Sequence, residues 1–153
     1  MPLKIPDGLP ASKVLQKENI FCINSSAAQQ QDIRAIRVLL EGGGEPVQEE
    51  QAPHPILKVG VIPRGVAEAP RFVLPKDSPD QEQLGNLVQR VLTDWNEIRK
   101  QVLQSGKAGS EESRRGISHH ELGLLDIVSW VRFARIHTEH HLVIIRAIQG
   151  TIA

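Results

Sequence analysis

Asp126-Ile-Val-Ser-Trp130-Val-Arg-Phe-Ala-Arg135-Ile-His137-Thr-Glu-His-His141-Leu-Val-Ile-Ile-Arg146-Ala-Ile-Gln149 is the stretch on which the reading of this chain turns. Advancing each residue by about 100° places Ile127, Trp130, Ala134, Ile144, Ile145 and Ile148 on one side of a helix. Arg132, Arg135, Glu139 and Arg146 fall on the other. The pattern is that of an amphipathic helix against a core, with Asp126 as its N-cap. His137 and His141 land within the apolar side, one turn apart. Imidazoles at i and i+4 point the same way, which lets one helix grip one divalent ion. The competing reading is a pair of core histidines, each needing its own hydrogen-bond partner, because an unpaired buried polar group costs about 1–3 kcal/mol. His140 sits at the edge of the stripe, as a surface or supporting residue.

A second long helix precedes this one. Ser78, Pro79 and Gln81 form a start signal and capping box, and Ser105-Gly106 a stop. Between them Leu84, Leu87, Val88, Val91, Trp95, Ile98 and Val102 recur at helical spacing. The two helices are joined by about twenty residues and are expected to pack antiparallel, with Trp95 and Trp130 in one core. Lys107 to Ile117 reads as a loop, and Ser118-His119-His120-Glu121 as one capped turn.

Residues 41–55 hold three glycines, three prolines and four glutamates and read as linker. His54 lies between Pro53 and Pro55, outside any helix interior, and a loop could still deliver it to a metal. Ile56 to Ile62 is a short β-prone run that could pair with residues 36–40. In residues 1–40, Pro2, Pro6 and Pro10 keep the start extended. Asn19 to Ile23 is strand-like, and Asp32 to Leu40 rises like the start of a buried strand.

The 153 residues suit one domain with a real core. Eighteen basic residues balance eighteen acidic ones. With no basic field and few aromatics, nucleic acid is a poor partner. Cys22 is the sole cysteine, which suits a reducing compartment. No signal peptide or membrane-spanning run is legible, so a cytoplasmic location is expected. No phosphate-cradling glycine motif is present.

Two family resemblances overlie these readings. Met-Pro-Leu-Lys-Ile-Pro-Asp at 1–7, Leu9-Pro10-Ala11, Val14-Leu15 with Glu18-Asn-Ile-Phe21, and Gln31-Asp-Ile-Arg34 with Ile36-Arg-Val-Leu39 resemble the N-terminus of homoserine O-acyltransferases of the succinyltransferase type. The resemblance stops in the glycine tract at 42–44. In that family the segment continues into a parallel sheet and the catalytic Cys, His and Glu come later. Cys22 is not at the nucleophile position, and no acyltransferase site is carried over. A lone strand of a parallel sheet cannot satisfy its backbone, so this segment is expected to be poorly ordered or laid over the helices.

Residues 69–149 resemble the second half of the DinB/YfiT-like family of four-helix bundles. The matching strings are Ala69-Pro-Arg-Phe-Val-Leu-Pro75, His120-Glu-Leu-Gly-Leu-Leu125 and Trp130-x-x-Phe-x-x-x-His-Thr-Glu-His-His-Leu142. The resemblance implies zinc or nickel on His137 and His141, with a third histidine from an earlier helix. Glu121 stands where that family often has Pro, Ile144-Ile145 where a Gln is common, and the first two helices are replaced. His120, His54 or His140 are the candidates for a third or supporting position.

The fold expected is therefore mainly α: an antiparallel long-helix hairpin, half of a DinB-like bundle, with an irregular, weakly β N-terminal segment. The parts are 1–40, an acyltransferase-like segment not folding alone; 41–77, linker; and 78–153, the helical part. The function expected is divalent-metal binding, as in a degenerate metal-dependent hydrolase or thiol transferase. The alternatives are a homoserine acyltransferase relative without its catalytic residues and a non-catalytic helical interaction protein or gene-fragment fusion. A homodimer would complete four helices.

Overall fold

In the computed structural model, residues 28–48, 52–63, 80–105 and 114–150 are described. They are mainly helical with a small antiparallel sheet, as the sequence implies. The order is α1 (residues 28–40), β1 (Glu45–Pro46), α2 (Pro55–Val59), α3 (Gln81–Ser105), β2 (Arg115–His119), β3 (Gly123–Asp126) and α4 (Ile127–Gln149).

The strand expected over Asp32 to Leu40 is a helix. Its buried residues, Gln29, Asp32, Ile33, Ala35, Ile36 and Leu39, gather on one side at helical spacing rather than alternating. Arg34 faces solvent on the other side. The glycine tract read as linker ends this helix. Gly42 N–H donates to Leu39 O and Gly43 N–H to Val38 O, at 3.1 and 2.8 Å, with Gly42 at φ +84°. These are the paired bonds of a Schellman cap, which need a left-handed residue that glycine supplies without strain. The described part of that segment, residues 28–40, is a helix whose Ile33, Ile36 and Leu39 join the core. Residues 1–27, with Cys22 and the expected run at 19–23, lie outside the described residues.

The first half of the β-prone run after the linker, residues 56–59, is also helical. In α2, Pro55 sits in the first turn, His54 Nδ1 accepts from Ile56 N–H at 3.2 Å, and Gly60 closes the end at φ +79°. The pairing expected between 56–62 and 36–40 is absent from the described residues, since 36–40 and 56–59 are helical and 60–62 form no strand. The linker instead supplies β1.

The capped turn expected at 118–121 and the end of the expected loop, residues 115–117, belong to a β-hairpin, and residues 107–113 lie outside the described residues. β1, β2 and β3 lie in that order, antiparallel, with Glu45 opposite Gly116, Ile117 opposite Leu125 and His119 opposite Gly123. A Cβ on Gly116 would meet Leu124 Cγ and Val47 Cγ2 at 2.8 Å, so only glycine fits there. His119 Nδ1 accepts from Glu121 N–H at 3.2 Å and Leu122 N–H at 3.3 Å, and so folds the turn. Asp126 caps α4 as expected, its Oδ1 accepting from Ser129 N–H at 2.8 Å. Trp130 Nε1–H donates to Ile117 O at 3.1 Å and ties α4 to the hairpin.

The start of α3 differs by two residues from the sequence signal. Asp80 Oδ1 accepts from Gln83 N–H at 2.8 Å while Gln83 Oε1 accepts from Asp80 N–H at 3.2 Å. Asp80 and Gln83 form a capping box. Ser78 and Pro79 lie outside the described residues.

One core joins α1, α3, α4 and the hairpin. Ile33, Ile36, Ile98, Leu125, Trp130 and Phe133 are buried in it, with Trp95 packed against it. Gln29 ties three helices together: its Oε1 accepts from Trp95 Nε1–H and its Nε2–H donates to Thr138 Oγ1. Arg37 pairs with Asp94 at 2.7 Å at the half-exposed edge of the α1–α3 contact.

Candidate functional site

α4 presents Phe133, His137 and His141 in succession down one side. Their ring centroids are 5.1 Å apart for Phe133 and His137 and 4.6 Å for His137 and His141. The spacing of four places them so, and the stripe of Trp130, Ala134 and Ile144 turns that side inward. His140 lies edge-on to His141 at 5.7 Å.

Docking of α1 brings a carboxylate to this row. Asp32 is only 2% exposed, and its Oδ2 lies 3.7 Å from His137 Nδ1. Both atoms are buried and neither makes a hydrogen bond among the described residues. Burial raises the Asp32 pKa above the ordinary carboxylate value, while His137 pulls it down. Burial, helped by the neighbouring His137 and His140, pushes His141 down to about 3. His141 is therefore neutral at pH 7.

The other candidate histidines gather elsewhere. His119 stacks on His120 at 4.4 Å and meets Phe133 edge-on at 4.6 Å. The Phe133 ring thus touches both His119 and His137. His54 caps α2, and its charge is felt at His119. Burial, with His120, His137 and His54 adding, lowers His119 to about 4. His120 is half exposed in the hairpin turn, 3.9 Å from Glu121. Among the described residues, no group of three or more His, Cys, Asp or Glu side chains stands in a position to hold a metal ion.

Asp32 is the site residue that the sequence reading passed over. Its signal was available in the spacing: Gln29, Asp32 and Ile36 stand at i, i+3 and i+7, so two polar groups share the buried face of α1. Reading 32–40 as a strand hid that face.

Beside the histidine row lies a groove of about 680 Å³ between α3 and α4, floored by Val91, Trp95, Ala134 and Thr138. Val88, Leu92, Val131 and Leu142 line it and are exposed. Among the described residues no helix is long and apolar enough to cross a membrane.

Residues 2–50 match the family model for homoserine O-succinyltransferase. Over 40 residues the chain is 55% identical to the homoserine O-succinyltransferase of Shewanella piezotolerans and 60% to that of Tolumonas auensis. It is 55% identical over 40 residues to the homoserine O-acetyltransferase of Bacteroides fragilis. In each case the match covers 26% of this chain and 13% of the relative. No solved structure matches the chain. The N-terminal similarity is thus real and short. Its described part is built into the fold, α1 beside the histidine row and β1 on the edge of the sheet.

Proposed function

We propose that the chain is a divalent-metal-binding helical protein in which His137 and His141 are the protein donors. The observation that carries this reading is the pair of inward imidazoles one turn apart, 4.6 Å between rings, with the buried Asp32 carboxylate beside them. The resemblance of the string Trp130 to Leu142 to DinB/YfiT-like proteins points the same way. Imidazole donors suit zinc and nickel. The fit is to binding rather than to catalysis, because a catalytic zinc normally takes three protein donors and one open position. A bound ion would supply a water acidified toward neutrality. The chain's own residues would hold the ion and screen it with the Phe133 and Ile144 side chains.

The test is metal analysis after dialysis against zinc or nickel, for the parent chain and for the double variant His137→Ala, His141→Ala. One ion per chain, lost in the variant with helicity kept, is the expected result. Equal metal content in both would overturn the reading.

The N-terminal similarity favours a second reading, acyl transfer to homoserine. Thiol release from succinyl- or acetyl-coenzyme A in the presence of homoserine tests it. The metal-binding reading expects none.

A homodimer belongs to the same proposal. A second copy would cover the apolar groove between α3 and α4. Charge supports this: Arg135 and Glu139, paired at 2.9 Å at the rim of the groove, are self-complementary about a two-fold axis. Sedimentation of the parent chain and of Leu92→Glu reads it. A dimer that the glutamate splits is expected; a monomer in both would remove the second copy.

A further inference from the structure

We propose that Asp32, delivered by the acyltransferase-like segment, is a positioning residue that holds the His137 proton on Nδ1 and so leaves Nε2 as the donor atom. The inference rests on the metal-binding reading for its purpose, though not for its geometry.

His137 reaches solvent through 22% of its side chain, yet its Nδ1 is buried. Facing the sealed edge is Asp32 Oδ2, 3% exposed at the side chain and 3.7 Å away. That is longer than the roughly 3.2 Å of a made N–H···O bond. Neither atom has another hydrogen-bond partner among the described residues, so each is the other's available complement. A carboxylate that accepts from one ring nitrogen fixes the tautomer and aims the other nitrogen, and this is the usual support for a metal-bound histidine.

Two further observations favour orientation over ligation for Asp32. It does not join His137 and His141 in a three-donor set among the described residues. Its carboxylate also approaches Nδ1, a ring nitrogen sealed from solvent. The residue is held by its neighbours, since Gln29, one turn earlier, and Ile33 and Ile36 are locked into the core. The backbone of α1 cannot carry it away while those contacts stand.

The experiment reads the ring nitrogens of His137 by nitrogen-15 NMR at pH 7.5 on the metal-free full chain, with zinc affinity measured in parallel. The parent chain is expected to show Nδ1–H with an unprotonated Nε2. Asp32→Ala should shift that proton toward Nε2 and weaken zinc binding by about 10–100-fold. Asp32→Leu, which also lacks an acceptor but fills the space, repeats the reading if the alanine variant folds poorly. Gln29→Ala loosens the same helix without touching the carboxylate and should leave the tautomer as it is. An unchanged His137 tautomer in both Asp32 variants overturns the proposal, whatever zinc does. A tautomer shift in a chain that binds no zinc sinks the metal reading and leaves the role of Asp32 standing.

Discussion

Ile36→Ala tests whether the acyltransferase-like segment is part of this fold. Ile36 is 0% exposed and Ile33 1%, three residues apart on the inner side of α1. Truncating a buried isoleucine to alanine removes three carbons and leaves a cavity, which costs about 2–5 kcal/mol. Whole domains are stable by about 5–15 kcal/mol, so a large share of stability would go. For a domain of this size 1 kcal/mol moves the melting temperature by roughly 2–4 °C. A central loss of about 3 kcal/mol then lowers it by about 6–12 °C. Val38, 42% exposed on the same helix, is the internal control, and Val38→Ala should cost under about 1 kcal/mol. Urea unfolding followed by circular dichroism reads both. A strand over 32–40 would instead turn Ile33 and Ile36 to opposite faces. Equal, small effects for Ile36→Ala and Val38→Ala would refute the docking of α1 and with it the approach of Asp32 to His137.

Gln29→Leu leaves Trp95 Nε1–H without its acceptor, while the Thr138 hydroxyl still donates to Ala134 O, and should destabilise by about 1–3 kcal/mol in the same urea assay. Gly42→Ala forces a side chain into φ +84° at the end of α1 and should cost about 1–2 kcal/mol, seen as a lower melting temperature. His119 has its folded pKa lowered to about 4 from 6.5, so the unfolded chain takes up the proton first as pH falls. Its contribution is fully present above about pH 6.5 and is lost as pH falls from there toward 4. His119→Asn, which keeps an acceptor for the Glu121 and Leu122 amides, should flatten that part of the stability–pH curve; an unchanged slope would count against burial of the His119 ring.

The long helices were legible because their evidence is local. α4 announces itself through Trp130, Ala134 and Ile144 at helical spacing and through the Asp126 cap, and α3 through Val91, Trp95 and Ile98. The inward placement of His137 and His141 follows from the same periodicity. α1 was misread because Ile33, Ile36, Val38 and Leu39 are β-prone, and the deciding contacts come from Asp94, Trp95 and Thr138 far along the chain. The local clue, Gly42-Gly43-Gly44, is a helix stop that resembles a linker. The hairpin escaped notice because β2 has the unpromising sequence Arg-Gly-Ile-Ser-His, and its pairing depends on a glycine that fits between Val47 and Leu124. Asp32 stayed hidden for the same reason as α1: nothing near it in sequence shows that it will meet a histidine on another helix.

X-ray absorption on the nickel-loaded chain tests the central claim most directly, because it reads the donors themselves. The account predicts scattering from two imidazoles per nickel, with oxygen from water in the remaining positions, and loss of the imidazole signal in the His137→Ala, His141→Ala variant. A nickel shell of oxygen alone in the parent chain, or an imidazole signal that survives in the variant, would contradict it.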